Sequence, residues 1–125
     1  MNQKLVFILE LCYIPYAVSK EIKRGYFIQL EKGKATLYNR PVVIFTEAEK
    51  AGAYQEAEPA KYVRISDEYY IRIGNDEAKS VSNKKDLIDA FPDNKNKTET
   101  FIKNNKVKSN KAEGLKELVN YYNSL

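Results

Sequence analysis

Acidic residues in close pairs are the feature of this sequence that comes nearest to acid–base chemistry. A pair that transfers protons needs two environments that push its pKa values apart, and one of these is usually an apolar pocket. All the pairs fall in segments whose pattern is typical of loops and turns, where water levels such differences. We interpret them as solvated turn residues, so a carboxylate-based enzyme is the least favoured alternative. The pairs are Glu47 and Glu49, Glu56 and Glu58, Asp67 and Glu68, and Asp76 and Glu77.

Histidine is absent from the 125 residues, and this count limits the chemistry most. Its absence removes the usual general base, the usual pH switch and the commonest metal ligand. Cys12 is the only cysteine, so it has neither a disulfide partner in the chain nor a histidine to activate its thiolate. We expect Cys12 to be a small buried apolar residue. We expect no catalytic residue, no metal, no cofactor and no small-molecule ligand.

Lysines concentrate in the last third of the chain and favour a second kind of function. The net charge is +4; residues 1–78 carry eleven basic and eleven acidic residues, whereas residues 79–125 carry ten lysines and six acidic residues. The lysines from Lys95 to Lys111 are interleaved with asparagine and are able to contact phosphates, so a nucleic-acid-binding domain is an alternative. No recognition motif of such domains is present. A solvated helical face is therefore the default interpretation, and nucleic acid is not the expected partner.

The N-terminal part of the sequence has patterns that are typical of β-strands. The stretch Leu5–Leu11 predicts a buried strand and is too short to span a bilayer, so we expect no membrane span. Pro15 and the polar stretch VSKEIKRG indicate a connection that ends at Gly25. The acidic, alanine-rich stretch 46–60 predicts a loop, and DEAKSV after Gly74 predicts a last short strand.

Two hairpins are expected within this region. Lys32–Gly33 separates YFIQL from KATLY, and Gly33 is expected to supply the positive φ of a two-residue turn. Pro41 leaves a break before VVIF and a continuous strand as open alternatives. Ser66–Asp67 separates KYVRI from EYYIRI and predicts a second hairpin. Alternation in these two stretches predicts one face toward the core and one toward water.

After Ser82 the apolar period changes from that of a strand to that of a helix, which indicates three helices. Each is preceded by a residue able to cap it, and in the first and third an acidic residue three positions later completes a capping box. The predicted caps are Asn83 with Asp86, Asp93, and Asn110 with Glu113.

The last helix has an apolar stripe that should face the core. Tyr121 lies beside the stripe, so we expect it to point away from the core. Together with three lysines it forms the interaction surface that we predict, which consists of Lys103, Lys106, Lys108 and Tyr121. The stripe itself consists of Leu115, Leu118, Val119, Tyr122 and Leu125.

Strands followed by helices predict an α+β fold in a single domain over residues 1–125. We expect an antiparallel sheet of about five strands over residues 5–80. Helices are expected near residues 84–91, 94–104 and 111–124.

A series of segments in fixed order resembles a known family. The segments are YYIRIG, NKKDLIDAFPD, FIKNNKVK and LVNYYNSL, with YIPY, GYFIQLEKGKATLY and AYQEAEPAKY upstream. The series is similar to the C-terminal part of a family of uncharacterised, typically exported proteins from Bacteroidetes-type gut bacteria that end in YYNSL. The resemblance implies a periplasmic, cell-envelope or secreted location, although the chain shows no usable signal peptide. It implies no activity, cofactor or functional residue.

The front of the chain departs from that family, whose members have a β-rich segment before the part seen here. We therefore expect a C-terminal fragment or a shortened homologue with an uncovered sheet edge or face. Such an edge favours a homodimer or packing against the missing N-terminal segment. The expected function is a non-catalytic structural or protein-interaction module of an exported or cell-envelope protein. The alternatives are the nucleic-acid-binding domain that uses Lys95–Lys111 and the carboxylate enzyme.

Overall fold

A computed structural model describes residues 11–46 and 61–125, and the side chains of residues 11–41 and 67–125. These residues form an antiparallel five-stranded sheet followed by three helices, which confirms the predicted α+β fold. The predicted strand Leu5–Leu11 and the predicted acidic loop lie mostly outside the described residues. The strands are β1 Leu11–Val18, β2 Glu21–Glu31, β3 Ala35–Thr46, β4 Lys61–Ile73 and β5 Lys79–Ser80, and the helices are α1 Lys84–Asp89, α2 Lys95–Asn105 and α3 Ala112–Asn123.

The strands pair in chain order, and the sheet curls until its two ends meet. The backbone N–H of Ala78, just before β5, donates to the carbonyl oxygen of Pro15 over 2.9 Å, and the N–H of Ala17 donates to the carbonyl oxygen of Ala78 over 2.9 Å. The sheet therefore has an inner, concave face and an outer, convex face.

The first hairpin was not predicted, because Pro15 and the stretch VSKEIKRG were interpreted as a connection. β1 instead runs through Pro15 to Val18 and pairs with β2 as far as Glu21. The carbonyl of Pro15 points toward Ala78, so its nitrogen, which carries no hydrogen, lies on the side away from β2 and costs that pairing no hydrogen bond. Ser19 has a φ of 54° and makes the tight turn.

The hairpin predicted at Ser66–Asp67 is wrong. β4 runs without a turn through this dipeptide and pairs with β3, which passes without a break through Pro41. A register shift between Val42 and Val43 accommodates the irregularity, as a β-bulge does. Ser66–Asp67 lacks the glycine that usually supplies a positive φ angle in a two-residue turn.

Both faces of the sheet carry a core, so the prediction of one wet face is wrong for β4. Consecutive residues Tyr69, Tyr70 and Ile71 are all buried. The convex face packs against the helices and contributes Ala35, Leu37, Tyr69 and Ile71 to the main core. The concave face encloses a smaller core because the sheet curls over it. Its residues are Ile14, Tyr16, Phe27, Tyr38, Tyr70 and Ala78.

Only the first of the three predicted caps is confirmed. The Asn83 side chain accepts a 2.8 Å hydrogen bond from the N–H of Asp86, whose carboxylate accepts from Ser82 rather than from Asn83. The N-caps of α2 and α3 are Asn94 and Lys111, and neither makes a side-chain capping bond. The predictions that Asp93 and Asn110 cap these helices are therefore wrong.

The apolar stripe of α3 is buried except at its last residue. Four residues of the predicted stripe are buried, whereas Leu125 is 47 % exposed, so its predicted burial is wrong.

Gly33 has no positive φ, which corrects its predicted role. It instead leaves room for Asn123, because a Cβ built on Gly33 would lie 2.3 Å from Asn123 Nδ2.

Candidate interaction surface

The outer side of the β1–β2 hairpin is a strip of sheet that the described helices leave bare. Side chains of alternate residues point outward there, in four cross-strand rows. On the same convex side, α3 packs over β3 and against β2. We call this strip the hairpin face. Its residues are Leu11, Tyr13, Pro15, Ala17, Ile22, Arg24, Tyr26 and Ile28.

Four large apolar side chains of the hairpin face are more than half exposed. The exposed fractions are 63 % for Leu11, 53 % for Tyr13, 64 % for Ile22 and 64 % for Tyr26. A single exposed leucine is ordinary on a protein surface, but a contiguous apolar patch usually marks a binding surface. These four residues lie on two adjacent strands and so form one patch.

Tyr13 and Tyr26 form an aromatic pair in the middle of the patch. They are direct partners in the strand register, and their ring centroids are 4.7 Å apart with the planes tilted by 50°. The contact restricts both side chains before any partner arrives. Rigid, amphipathic tyrosines of this kind are enriched in protein–protein interfaces.

Arg24 is the charged member of the hairpin face. It lies between Ile22 and Tyr26 along β2 and opposite the smaller Pro15 on β1. Its side chain is exposed. A partner that covers the face must therefore supply a hydrogen-bond acceptor for this guanidinium, since a buried unpaired charge is costly.

A polar cluster around Arg40 lies against the concave core. The guanidinium lies 5.0 Å from the ring centroid of Tyr16 and 5.7 Å from that of Phe27. Burial lowers the pKa of Arg40, but hydrogen bonds from its guanidinium to the hydroxyls of Tyr16 and Tyr70 outweigh it, so the net pKa is raised. Burial raises the pKa of Tyr70, and the nearby Glu68 carboxylate adds to this. These contacts hold Arg40 against its own core.

Of the predicted surface, the structure brings together Lys106 and Lys108. Both line a shallow concavity of about 600 Å³, together with Lys111, but Glu113 and Glu117 line it as well. The acidic side chains offset much of the positive charge.

The other two members of the predicted surface do not line this concavity, and each has a partner within the chain. Lys103 forms an ion pair with Glu99 over 3.5 Å. Tyr121 stacks on Phe101, with ring centroids 4.6 Å apart and planes 15° apart. The surface of four residues stays a prediction.

Two of the four carboxylate pairs lie among the described side chains. Asp67 and Glu68 are exposed beside a concavity of about 210 Å³. Asp76 and Glu77 border a concavity of about 90 Å³. The pairs at 47–49 and 56–58 lie outside the described residues. Within residues 11–46 and 61–125, no three His, Cys, Asp or Glu residues are placed to share a metal ion.

Cys12 is half-buried beside the concave core, which is less burial than we expected. Its thiol contacts Gln29 Oε1 at 3.8 Å.

Sequence reasoning missed the hairpin face because it placed a connection where most of β1 and the first half of β2 lie. The signal was nevertheless present. Apolar residues alternate at Leu11 and Tyr13 and again at Ile22, Tyr26 and Ile28, on both sides of Ser19-Lys20. Proline is tolerated in an edge strand. With Pro15 interpreted in this way, the alternation would have predicted a hairpin with an apolar outer face.

Comparison with protein-family models, with curated proteins and with solved structures found no match. In the described part of the chain, no helix has the length and apolar character needed to cross a membrane.

Proposed function

We propose that this protein is a non-catalytic protein-interaction module that binds a partner protein through the hairpin face. One observation carries the proposal: four large apolar side chains of one patch, Leu11, Tyr13, Ile22 and Tyr26, are each more than half exposed. Full burial of one such side chain is worth about 1.5–3 kcal/mol. Covering the patch therefore supplies a driving force of several kcal/mol, as an interface core does.

The composition of the face favours a protein over a nucleic acid as the partner. Arg24 lies among apolar neighbours, whereas binding to phosphates requires several cations along a groove. The resemblance of the sequence segments to exported bacterial proteins supports the cell envelope as the location of this interaction.

A nucleic-acid-binding domain is the second candidate, favoured by the concavity that gathers Lys106, Lys108 and Lys111. Its test is the salt dependence of binding to a single-stranded oligonucleotide. A phosphate binder loses affinity steeply between about 50 and 200 mM salt because counterions are released. Absence of binding at low salt would remove this candidate.

The interaction proposal is tested with a photo-crosslinking amino acid at Ile22 or Tyr26, and at Lys97 as a control site. Ile22 and Tyr26 lie on the hairpin face, and Lys97 is exposed on α2. Any protein that crosslinks is then purified, and its affinity is measured by calorimetry for the wild type and for Tyr13→Ser/Tyr26→Ser. We expect crosslinks from the hairpin face alone and at least tenfold weaker binding by the double variant. A partner whose affinity is unchanged would contradict the proposal.

A further inference from the structure

We infer that the partner segment that covers the hairpin face is an amphipathic α-helix with an acidic residue opposite Arg24, supplied by another protein. The inference rests on the proposed function and names the structure that the partner presents. Three observations lead to it: the helical layer beside the face, the size of the face, and the state of the β1 edge.

The helical layer on the convex side ends where the hairpin face begins. α3 packs over β3 and also touches β2, so a further helix on β1 and β2 would lie beside α3. The sheet pairs in the order β1-β2-β3-β4-β5, and the uncovered strands lie together at one end. One added helix would complete a two-layer arrangement of helices on a sheet.

The size of the hairpin face fits a single helix. Its four rows, from Leu11–Ile28 to Ala17–Ile22, span about 20 Å along the strands, and two strands with their side chains are about 10 Å wide. A helix of about 14 residues is about 20 Å long and about 10 Å across. The hairpin face carries Arg24 and no carboxylate. Two copies packed face to face would therefore leave both guanidinium groups without an acidic partner.

The edge of β1 is a poor template for an added strand. Ala78 already forms hydrogen bonds to Pro15 and Ala17 there, each over 2.9 Å. Pro15 has no N–H to offer to a new strand. Between Pro15 and Ala17 the edge of β1 is therefore already occupied, whereas Leu11 and Tyr13 on its outward face are more than half exposed.

Arg24 determines the chemistry of the helix. It is exposed between Ile22 and Tyr26, opposite the smaller Pro15. A helix that buries its apolar stripe on these neighbours brings its flank over the guanidinium. A glutamate or aspartate at that point forms a charge-assisted, bidentate pair with Arg24.

Two libraries of peptides, each about 18 residues long, test whether the partner segment is a helix or a strand. One carries helical apolar periodicity with a variable flank, and the other alternates apolar and polar residues; both are displayed and selected on the full chain. We expect enrichment from the helical library, with an acidic residue at one fixed position. The selected peptide should become helical by circular dichroism on binding.

Charge reversal tests the assignment to Arg24. The selected peptide should bind Arg24→Glu at least tenfold more weakly than the wild type, and a peptide with lysine in place of its acidic residue should recover the loss. Lys97→Glu, the same charge change on α2, should leave binding unchanged. Ile22→Ser should weaken binding and, because its side chain is 64 % exposed, should leave the melting temperature unchanged.

Several outcomes would overturn the inference. The first is that only peptides from the alternating library are enriched. The second is that the selected peptides bind Arg24→Glu and Ile22→Ser as tightly as the wild type. The third is that light scattering shows a dimer of this protein, which Ile22→Ser dissociates. If the crosslinked partner touches Ile22 and Tyr26 through a strand or loop, the inference fails and the interaction proposal stands. If the partner binds elsewhere on the chain, both fail.

Discussion

The side chain of Asn123 at the end of α3 pairs with the backbone of Ala35 at the start of β3 as a neighbouring strand would. The N–H of Ala35 donates to Asn123 Oδ1 over 2.7 Å, and Asn123 Nδ2 donates to the carbonyl oxygen of Ala35 over 3.0 Å. Ala35 is fully buried, so these two backbone groups have no access to water. The last turn of the chain thus completes the pairing of the sheet.

Asn123→Ala should therefore lower the free energy of unfolding by about 1–3 kcal/mol, because it leaves a buried N–H and a buried C=O without this partner. Urea denaturation measures the change. Asn120→Ala, at an exposed position of the same helix, is the matched control and should change stability by less than about 0.5 kcal/mol. Deletion of residues 122–125 should cost more still, because it also removes the buried Tyr122. An unchanged melting temperature of the shortened chain would contradict this account of the terminus.

Gly33→Ala should destabilise the protein through the same contact. Its new Cβ would lie 2.3 Å from Asn123 Nδ2, so the amide must move away from Ala35. The cost of Gly33→Ala should fall by about 1 kcal/mol or more when Asn123 is already alanine, since the two changes act on one contact.

Gly74→Ala is the control for this double-mutant cycle. Gly74 has a φ of +55° and no atom within 4 Å of a built Cβ, so its substitution costs about 1 kcal/mol through backbone strain alone. The cost of Gly74→Ala should be the same in the wild type and in Asn123→Ala. Equal costs of Gly33→Ala in both backgrounds would mean that Asn123 is not the group displaced.

Sequence reasoning predicted the class of fold and the bounds of the helices because local periodicity determines both. It identified the buried residues of α3, and it failed at positions whose role depends on residues distant in sequence. Asp93 looked like a helix cap, but its carboxylate accepts from Tyr122 and Lys34. Gly33 looked like a turn residue, but its function is to admit Asn123, 90 positions later. Local propensity contains no information about such contacts.

The candidate site was missed for a related reason. Pro15 is a strand breaker in the middle of a sheet, but it is tolerated where its nitrogen faces an edge. Only the closure of the sheet at Ala78 shows that Pro15 lies at such an edge. With β1 interpreted as a connection, Tyr13 and Tyr26 had no reason to be neighbours. The lysine surface was in turn predicted from charge, which cannot show that Lys103 pairs with Glu99.

The contacts of Asp93 predict how stability depends on pH. Hydrogen bonds from Lys34 and then Tyr122 hold the pKa of Asp93 below its ordinary value. Because the folded pKa lies below the unfolded one, the stabilisation is fully present above about pH 4, the ordinary value for aspartate, and is lost as the pH falls through the folded pKa. Urea midpoints measured between pH 7 and pH 2 should show this loss.

Asp93→Asn should reduce that acid dependence and leave the remaining carboxylates to titrate. Asp89→Asn is the matched control, because Asp89 is an exposed carboxylate that pairs with Lys95 over 3.2 Å. A wild-type curve that falls no more steeply than that of Asp93→Asn below about pH 4 would show that the Asp93 contacts do not stabilise the fold.

Lys106 has a backbone conformation that favours glycine. It ends α2 in the left-handed region, with φ 51° and ψ 46°, and its N–H donates to the carbonyl oxygen of Ile102. Side chains other than those of glycine and asparagine are strained in this C-terminal position. Lys106→Gly should therefore raise the free energy of unfolding by about 0.5–1 kcal/mol, which chemical denaturation can resolve. Lys108→Gly removes a neighbouring exposed lysine with no positive φ, so it should not stabilise the protein. If both variants lose stability equally, the strain at Lys106 is not relieved by glycine, and the lysine side chain itself contributes to the end of α2.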